Sequence, residues 1–192
     1  MLDNLAGKQV ILASKSPRRQ ELLKGLDISF EIQLKDVDES YPSSLDPHEV
    51  PVYLAEKKAE AFMESLTENA IIITSDTIVI QDGEILEKPK SIEEATEMLH
   101  KLENYSHTVV TGVCIQSLTK KIVFSDHTRV HFMPLTNAEI DYYVEKYQPF
   151  DKAGSYGVQE WIGYIGIEKL EGSYFNVMGL PVHLVYAALK EF

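Results

Sequence analysis

Residues 10–23 read VILASKSPRRQELL. Val10–Ala13 is an apolar run with the composition of a buried strand, and Pro17–Lys24 begins a helical pattern that Gly25 stops. A strand that passes through a short polar turn into a helix opens an α/β fold. Ser16 suits an N-cap, and Pro17 suits the first helical position, where the N–H it lacks would be unpaired in any case. Ser14 and the pair Arg18–Arg19 are left over by that account. Two cations in a first helical turn oppose the positive end of the helix dipole. An anion held by the free N–H groups, the hydroxyls of Ser14 and Ser16 and the two guanidinium groups gives the placement a purpose. On these residues alone, phosphate binding and chance surface arginines both stand.

The elements that follow keep the α/β order. Ile28–Leu34 alternates apolar and polar and is predicted to be a half-buried strand. KDVDESYPSS reads as an acidic loop, and Pro47–Leu66 as a helix, bent or entered late at Pro51. Ala70–Asp76 is an apolar run ending in polar residues, and IVIQDGEIL reads as a hairpin around Asp82–Gly83. Ser91 with Glu94, and Thr136 with Glu139, have capping-box spacing, the second helix ending near Tyr147. Thr108–Leu118 and Lys121–Met133 are long strand candidates. A segment rich in glycine and aromatics, Asp151–Leu180, precedes a last helix starting at Pro181. The expected fold is α/β, a mixed sheet flanked by helices, with residues 1–192 as a single domain lacking an internal linker. Two lobes sharing one long sheet, with a ligand between them, fit this order.

The 192 residues carry a formal net charge of −12. Such a surface does not offer the broad positive field that nucleic-acid binding needs, although a few focused cations can still hold a small anion. No apolar run approaches the roughly 18 residues of a membrane helix. MLDNLAGKQ lacks the pattern of a signal peptide, so a cytoplasmic location is expected. A single cysteine, Cys114, excludes an intrachain disulfide and a cysteine-cluster metal site, and reads as a small buried residue. The six histidines show no metal-ligand spacing.

Three further places fit phosphate chemistry. Lys58 falls on the apolar stripe of Leu54, Ala55, Ala59, Phe62 and Leu66, where it either snorkels to the rim or meets an anion. Asp76 stands where an apolar strand is expected to end, the side of an α/β sheet on which ligands bind, and also suits a plain turn. Asp38 and Glu39 are either loop charge or ligands for Mg²⁺, which takes one or two carboxylates beside phosphate oxygens.

Taken together and in order, LASKSPRRQELL, DVDE, LAEKKAEAF, SDTIV, EKP, HTVVTGV, DKAGSYGVQ and YFNVMGLPV resemble the Maf family of nucleoside triphosphate pyrophosphatases, related to the inosine-triphosphate pyrophosphatase fold. The resemblance spans essentially the whole chain. It implies an elongated mixed sheet with two lobes and a cleft, and hydrolysis of a nucleoside triphosphate to the monophosphate and pyrophosphate with a divalent cation, Mg²⁺ or Mn²⁺. The wording of DKAGSYGVQ is closer to the dTTP/UTP pyrophosphatases than to the branch preferring 7-methyl-GTP. Carried over residue by residue, it implies Asp76 as general base, with metal binding as a competing role for the same carboxylate. It implies Ser14, Ser16, Arg18, Arg19, Lys58 and Lys88 on the substrate, Thr77 and Gln159 in base choice, and Asp38 and Glu39 near the metal. Glu87 departs from the glycine of many members, and Glu160 from a small residue. Members are often homodimers. Modified pyrimidine nucleotides are further substrates of this reading. Its rivals are a nucleotide-sensing module with a protein partner, and a purine-directed pyrophosphatase.

Overall fold

The computed structural model describes residues 2–192. Its elements are β1 (Gln9–Leu12), α1 (Pro17–Lys24), β2 (Glu31–Ile32), α2 (Val50–Glu60), β3 (Ala70–Gln81), β4 (Glu84–Leu86), α3 (Ile92–Leu102), β5 (Ser106–Gln116), β6 (Lys121–Phe132), α4 (Asn137–Tyr147), α5 (Trp161–Gly166), β7 (Ile167–Glu171), α6 (Tyr174–Met178) and α7 (Val182–Leu189). The strands form one sheet in the order β2-β1-β3-β5-β6-β7, with β4 paired to β3. It is mixed: β1 runs parallel to β2 and β3, while β4 opposes β3 and β7 opposes β6. The α/β expectation therefore holds. No helix among the described residues is long and apolar enough to cross a membrane.

The chain packs into two compact units. The first comprises the residues up to Asp76 with Thr111–Asp126 and Gly179–Phe192; the second comprises Thr77–Val110 and His127–Met178. Strands β3, β5 and β6 each begin in one unit and end in the other.

In the first unit, Ile11, Ala55, Ala59, Phe62, Leu66, Ala70, Ile72 and Cys114 form a buried cluster. Ile71, Ile72 and Ile73 are all fully buried, which explains why this part of β3 is uniformly apolar rather than alternating. Helix α2 lies very close to the sheet. A Cβ on Gly112 of β5 would stand 2.3 Å from the backbone of Pro51 and Val52, so only glycine fits there. The buried Thr74 hydroxyl ties β3 to the same helix, donating to the Ala55 carbonyl at 2.6 Å. In the second unit, α3 and α4 pack with Val79, Val109, Val130, Phe132, Tyr156 and Ile162 around a second core.

Three sequence expectations need correction. Ile28–Leu34 contributes only Glu31–Ile32 to the sheet, and both residues are exposed, because only two residues pair with β1. Pro47–Leu66 is not one helix: a 3₁₀ turn at Pro47–Glu49 leads into α2, which ends at Glu60 before a second 3₁₀ turn at Met63–Ser65. β3 does not end at Asp76 but runs on to Gln81 into the expected hairpin, whose Asp82 and Gly83 both have positive φ. The glycine-rich segment hides β7 and two short helices, which periodicity does not reveal in five or six residues. Thr136 and Glu139 do form a full capping box.

Candidate active site

The burial of β3 breaks at one point. Of its twelve residues only Asp76 and Thr77 are not buried. Asp76 faces Lys58 of α2, with 2.7 Å between Oδ1 and Nζ. The same ammonium lies 2.9 Å from Glu39 Oε1. Lys58 is therefore the common partner of two carboxylates, its side chain only 16% exposed, as a lysine on an apolar stripe requires. The tight seating of α2 on β3 and β5 sets this geometry, since Thr74 and Ala55 join the two elements close to both residues.

The opening stretch divides its roles. Ser16 occupies the N-cap position of α1, yet its hydroxyl makes no capping bond; Ser14 Oγ instead accepts the Ser16 N–H at 3.2 Å. Ser14 is buried at the turn. Arg19 points away from its own helix. Its Nε donates to the Gly179 carbonyl and its NH1 to the Ser75 carbonyl, both at 2.8 Å. The second contact grips the backbone one residue before Asp76. Burial pushes the Arg19 pKa down and Arg18 adds to that, while Asp76 and Glu39 push it up; an arginine remains charged under such pressure. Arg18, Arg19, Glu39 and Asp76 thus share one electrostatic neighbourhood, which accounts for two cations at a helix N-terminus.

Asp38 and Glu39, neighbours in sequence, separate in space. Asp38 accepts from the Ser40 hydroxyl and backbone N–H, and from Lys57 Nζ at 3.2 Å. These bonds, led by the Ser40 hydroxyl, pull its carboxyl down to about 2. Of this acidic pair, Glu39 is the one that touches Lys58.

In the second unit, Thr77 follows Asp76 along β3. Lys88 is exposed just after β4, and Gln159 is partly buried with its Oε1 shut off from water and without a donor among the described residues. Such an unmet acceptor costs about 1–3 kcal/mol.

Whether these residues suit a divalent cation turns on their donor chemistry. Among the described residues no three His, Cys, Asp or Glu side chains converge as a ready-made metal group. Glu39 and Asp76 do converge on one point that already holds a cation, the Lys58 ammonium. Two carboxylates suit Mg²⁺ or Mn²⁺ when triphosphate oxygens and water complete the shell.

Sequence reasoning missed Lys57, Ser75 and Gly179. The last two act through backbone carbonyls, which carry no residue-type signal. Lys57 stands beside Lys58, but one step along a helix turns the side chain about 100° away.

Residues 9–192 match the Maf-like protein family. Among relatives, the dTTP/UTP pyrophosphatase of Porphyromonas gingivalis (strain ATCC 33277) is 54% identical over all of this chain and 98% of its own. Those of Parabacteroides distasonis and Bacteroides thetaiotaomicron are 51% and 49% identical, each over the full length of both chains. Among solved structures, the Staphylococcus aureus Ham1 protein gives a TM-score of 0.46 at 18% identity, over 65% of this chain and 72% of that one. With one family model spanning nearly the whole chain and full-length relatives at about half identity, the chain belongs to the Maf family.

Proposed function

We propose that this protein hydrolyses nucleoside triphosphates to the monophosphate and pyrophosphate, dTTP and UTP ahead of the others. One observation carries the reading: a carboxylate, Asp76, stands at the single break in the burial of β3, with Lys58 and Arg19 around it. Asp76 orients a water and takes its proton as the water attacks the α-phosphorus. The bond from that phosphorus to its bridging oxygen breaks, and pyrophosphate leaves. Arg18, Lys58 and Lys88 offset charge on the phosphates, and the hydroxyls of Ser14 and Ser16 add hydrogen bonds. Arg19 has two donors committed to backbone, so its part is to hold the Ser75–Asp76 backbone as well as to supply field. A divalent cation, Mg²⁺ or Mn²⁺, would be held by Glu39, Asp76 and the triphosphate and would supply charge neutralisation and a more acidic water; Asp38, engaged by Ser40 and Lys57, steadies the loop that carries Glu39.

Thr77 and Gln159 set the choice of base. The name shared by the relatives, dTTP/UTP pyrophosphatase, supports the pyrimidine preference. In this reading the substrate is a free nucleotide met in the cytoplasm, since a chain of net charge −12 repels nucleic acid. The test is pyrophosphate release by purified protein with Mg²⁺ from dTTP, UTP, CTP, ATP and GTP at equal concentration. Release led by dTTP and UTP is expected. Nucleotide binding without release would establish a sensor in place of an enzyme, and a lead for ATP or GTP would overturn the pyrimidine preference alone.

A further inference from the structure

Gln159 is followed by Glu160, and both carboxylate oxygens of Glu160 are engaged. Oε1 lies 3.0 Å from Lys152 Nζ. Oε2 accepts from the Tyr143 hydroxyl. Lys152 is buried and reaches back to Asp151 at 2.7 Å. Tyr143, on α4, is fully buried, and its oxygen accepts the Gly157 N–H at 3.0 Å. The Glu160 backbone closes the same turn: its N–H donates to the Gly157 carbonyl at 3.0 Å, and its carbonyl accepts from the Gly163 N–H at 2.9 Å. A Cβ on Gly157 would stand 2.7 Å from Glu160 Cδ, so the carboxylate lies directly against the loop backbone. Burial, and then Glu160 itself, raises the Tyr143 phenol pKa, which keeps it a proton donor. Residues 151–160 are thus tied at both ends, and Gln159 sits in the tied part with its amide oxygen unmet.

We propose that Glu160, gripped by Tyr143 and Lys152, is a positioning residue for base selection: it fixes the backbone that carries Gln159. This rests on the reading of Gln159 as the residue that meets the base. A glutamine amide offers an oxygen on one side and an NH₂ on the other. Uracil and thymine present an N–H at ring position 3, whereas cytosine presents a bare acceptor there. A glutamine on a loose loop can turn either end to the base and accept both. One on a braced loop presents its oxygen in one place and leaves an unsatisfied pair when cytosine enters.

The experiment is kcat/KM for UTP and CTP, measured on single preparations of wild type, Tyr143→Phe, Glu160→Gln and Gln159→Ala. The UTP:CTP ratio is independent of the fraction of molecules folded, so partial unfolding of a variant leaves the readout intact. Tyr143→Phe and Glu160→Gln are expected to lower the ratio at least about 5-fold, mainly by gain of CTP turnover, whereas Gln159→Ala lowers it by loss of UTP turnover. A lowered ratio for Gln159→Ala with unchanged ratios for both brace variants overturns the brace and leaves Gln159 as the reader. An unchanged ratio for Gln159→Ala removes Gln159 from base reading, and the brace with it.

Discussion

Asp76 and Lys58 form an ion pair at the one break in the burial of β3, and Arg19 grips the adjacent backbone. Asp76→Asn preserves the side-chain shape but removes the base. Its kcat should fall by about 10²–10⁴-fold, while the nucleotide-induced rise in Tm persists; a variant keeping more than about a tenth of wild-type kcat would exclude Asp76 as base. The two arginines should behave differently. Arg19→Ala removes a donor from the Ser75 and Gly179 carbonyls and should cost about 1–3 kcal/mol of stability as well as kcat. Arg18→Ala should raise KM with little change in Tm. Paired melting curves and steady-state kinetics check this, and equal Tm losses for the two would contradict the division of roles. The charged residues that meet here, Lys58, Asp76, Glu39 and Arg19, stood out in the sequence because residue type limits what each can do. The commitment of Arg19 to carbonyls 56 and 160 residues away in sequence did not, since a backbone acceptor looks the same at every position.

Among elements, helix α2 and strands β3 and β5 fix the distance between Lys58 and Asp76. Gly112→Ala drives a methyl group into the Pro51–Val52 backbone, where no flexible side chain can yield. The penalty should be at least about 3 kcal/mol, at the upper end of overpacking costs, read as a shift in denaturant midpoint at unchanged m. A variant within about 1 kcal/mol of wild type would mean the helix seats more loosely than the structure has it. Sequence patterns located the long strands and the capped helices well, because they repeat over ten or more residues. They overran at Ile28–Leu34, where alternation is present but only Glu31–Ile32 finds a partner strand. They stopped short at Asp76, since a polar pair looks like a strand end when the extended backbone beyond it is out of view.

For the whole molecule, stability in acid should depend on His107. It is buried, with Nε2 2.7 Å from the Tyr156 hydroxyl and no partner on Nδ1 among the described residues. Burial, with a smaller push from His131, lowers its pKa from 6.5 to about 3. The folded form holds the ring neutral, whereas the unfolded chain protonates it near 6.5. Its contribution is therefore complete above that pH and is lost as pH falls towards about 3, at up to about 1.4 kcal/mol per pH unit. His107→Gln should flatten the acid limb of stability against pH, and an unchanged slope would show that the ring charges without penalty. The division of the chain into two units also bears on its synthesis. The second unit is complete once Met178 has been made, whereas the first, which holds Asp76, Lys58 and Arg19, still lacks Gly179–Phe192. Those last residues bring α7 and the carbonyl that Arg19 holds. A nascent chain on the ribosome therefore already carries Asp76, Lys58 and Arg19 when the segment whose carbonyl Arg19 holds has yet to be made.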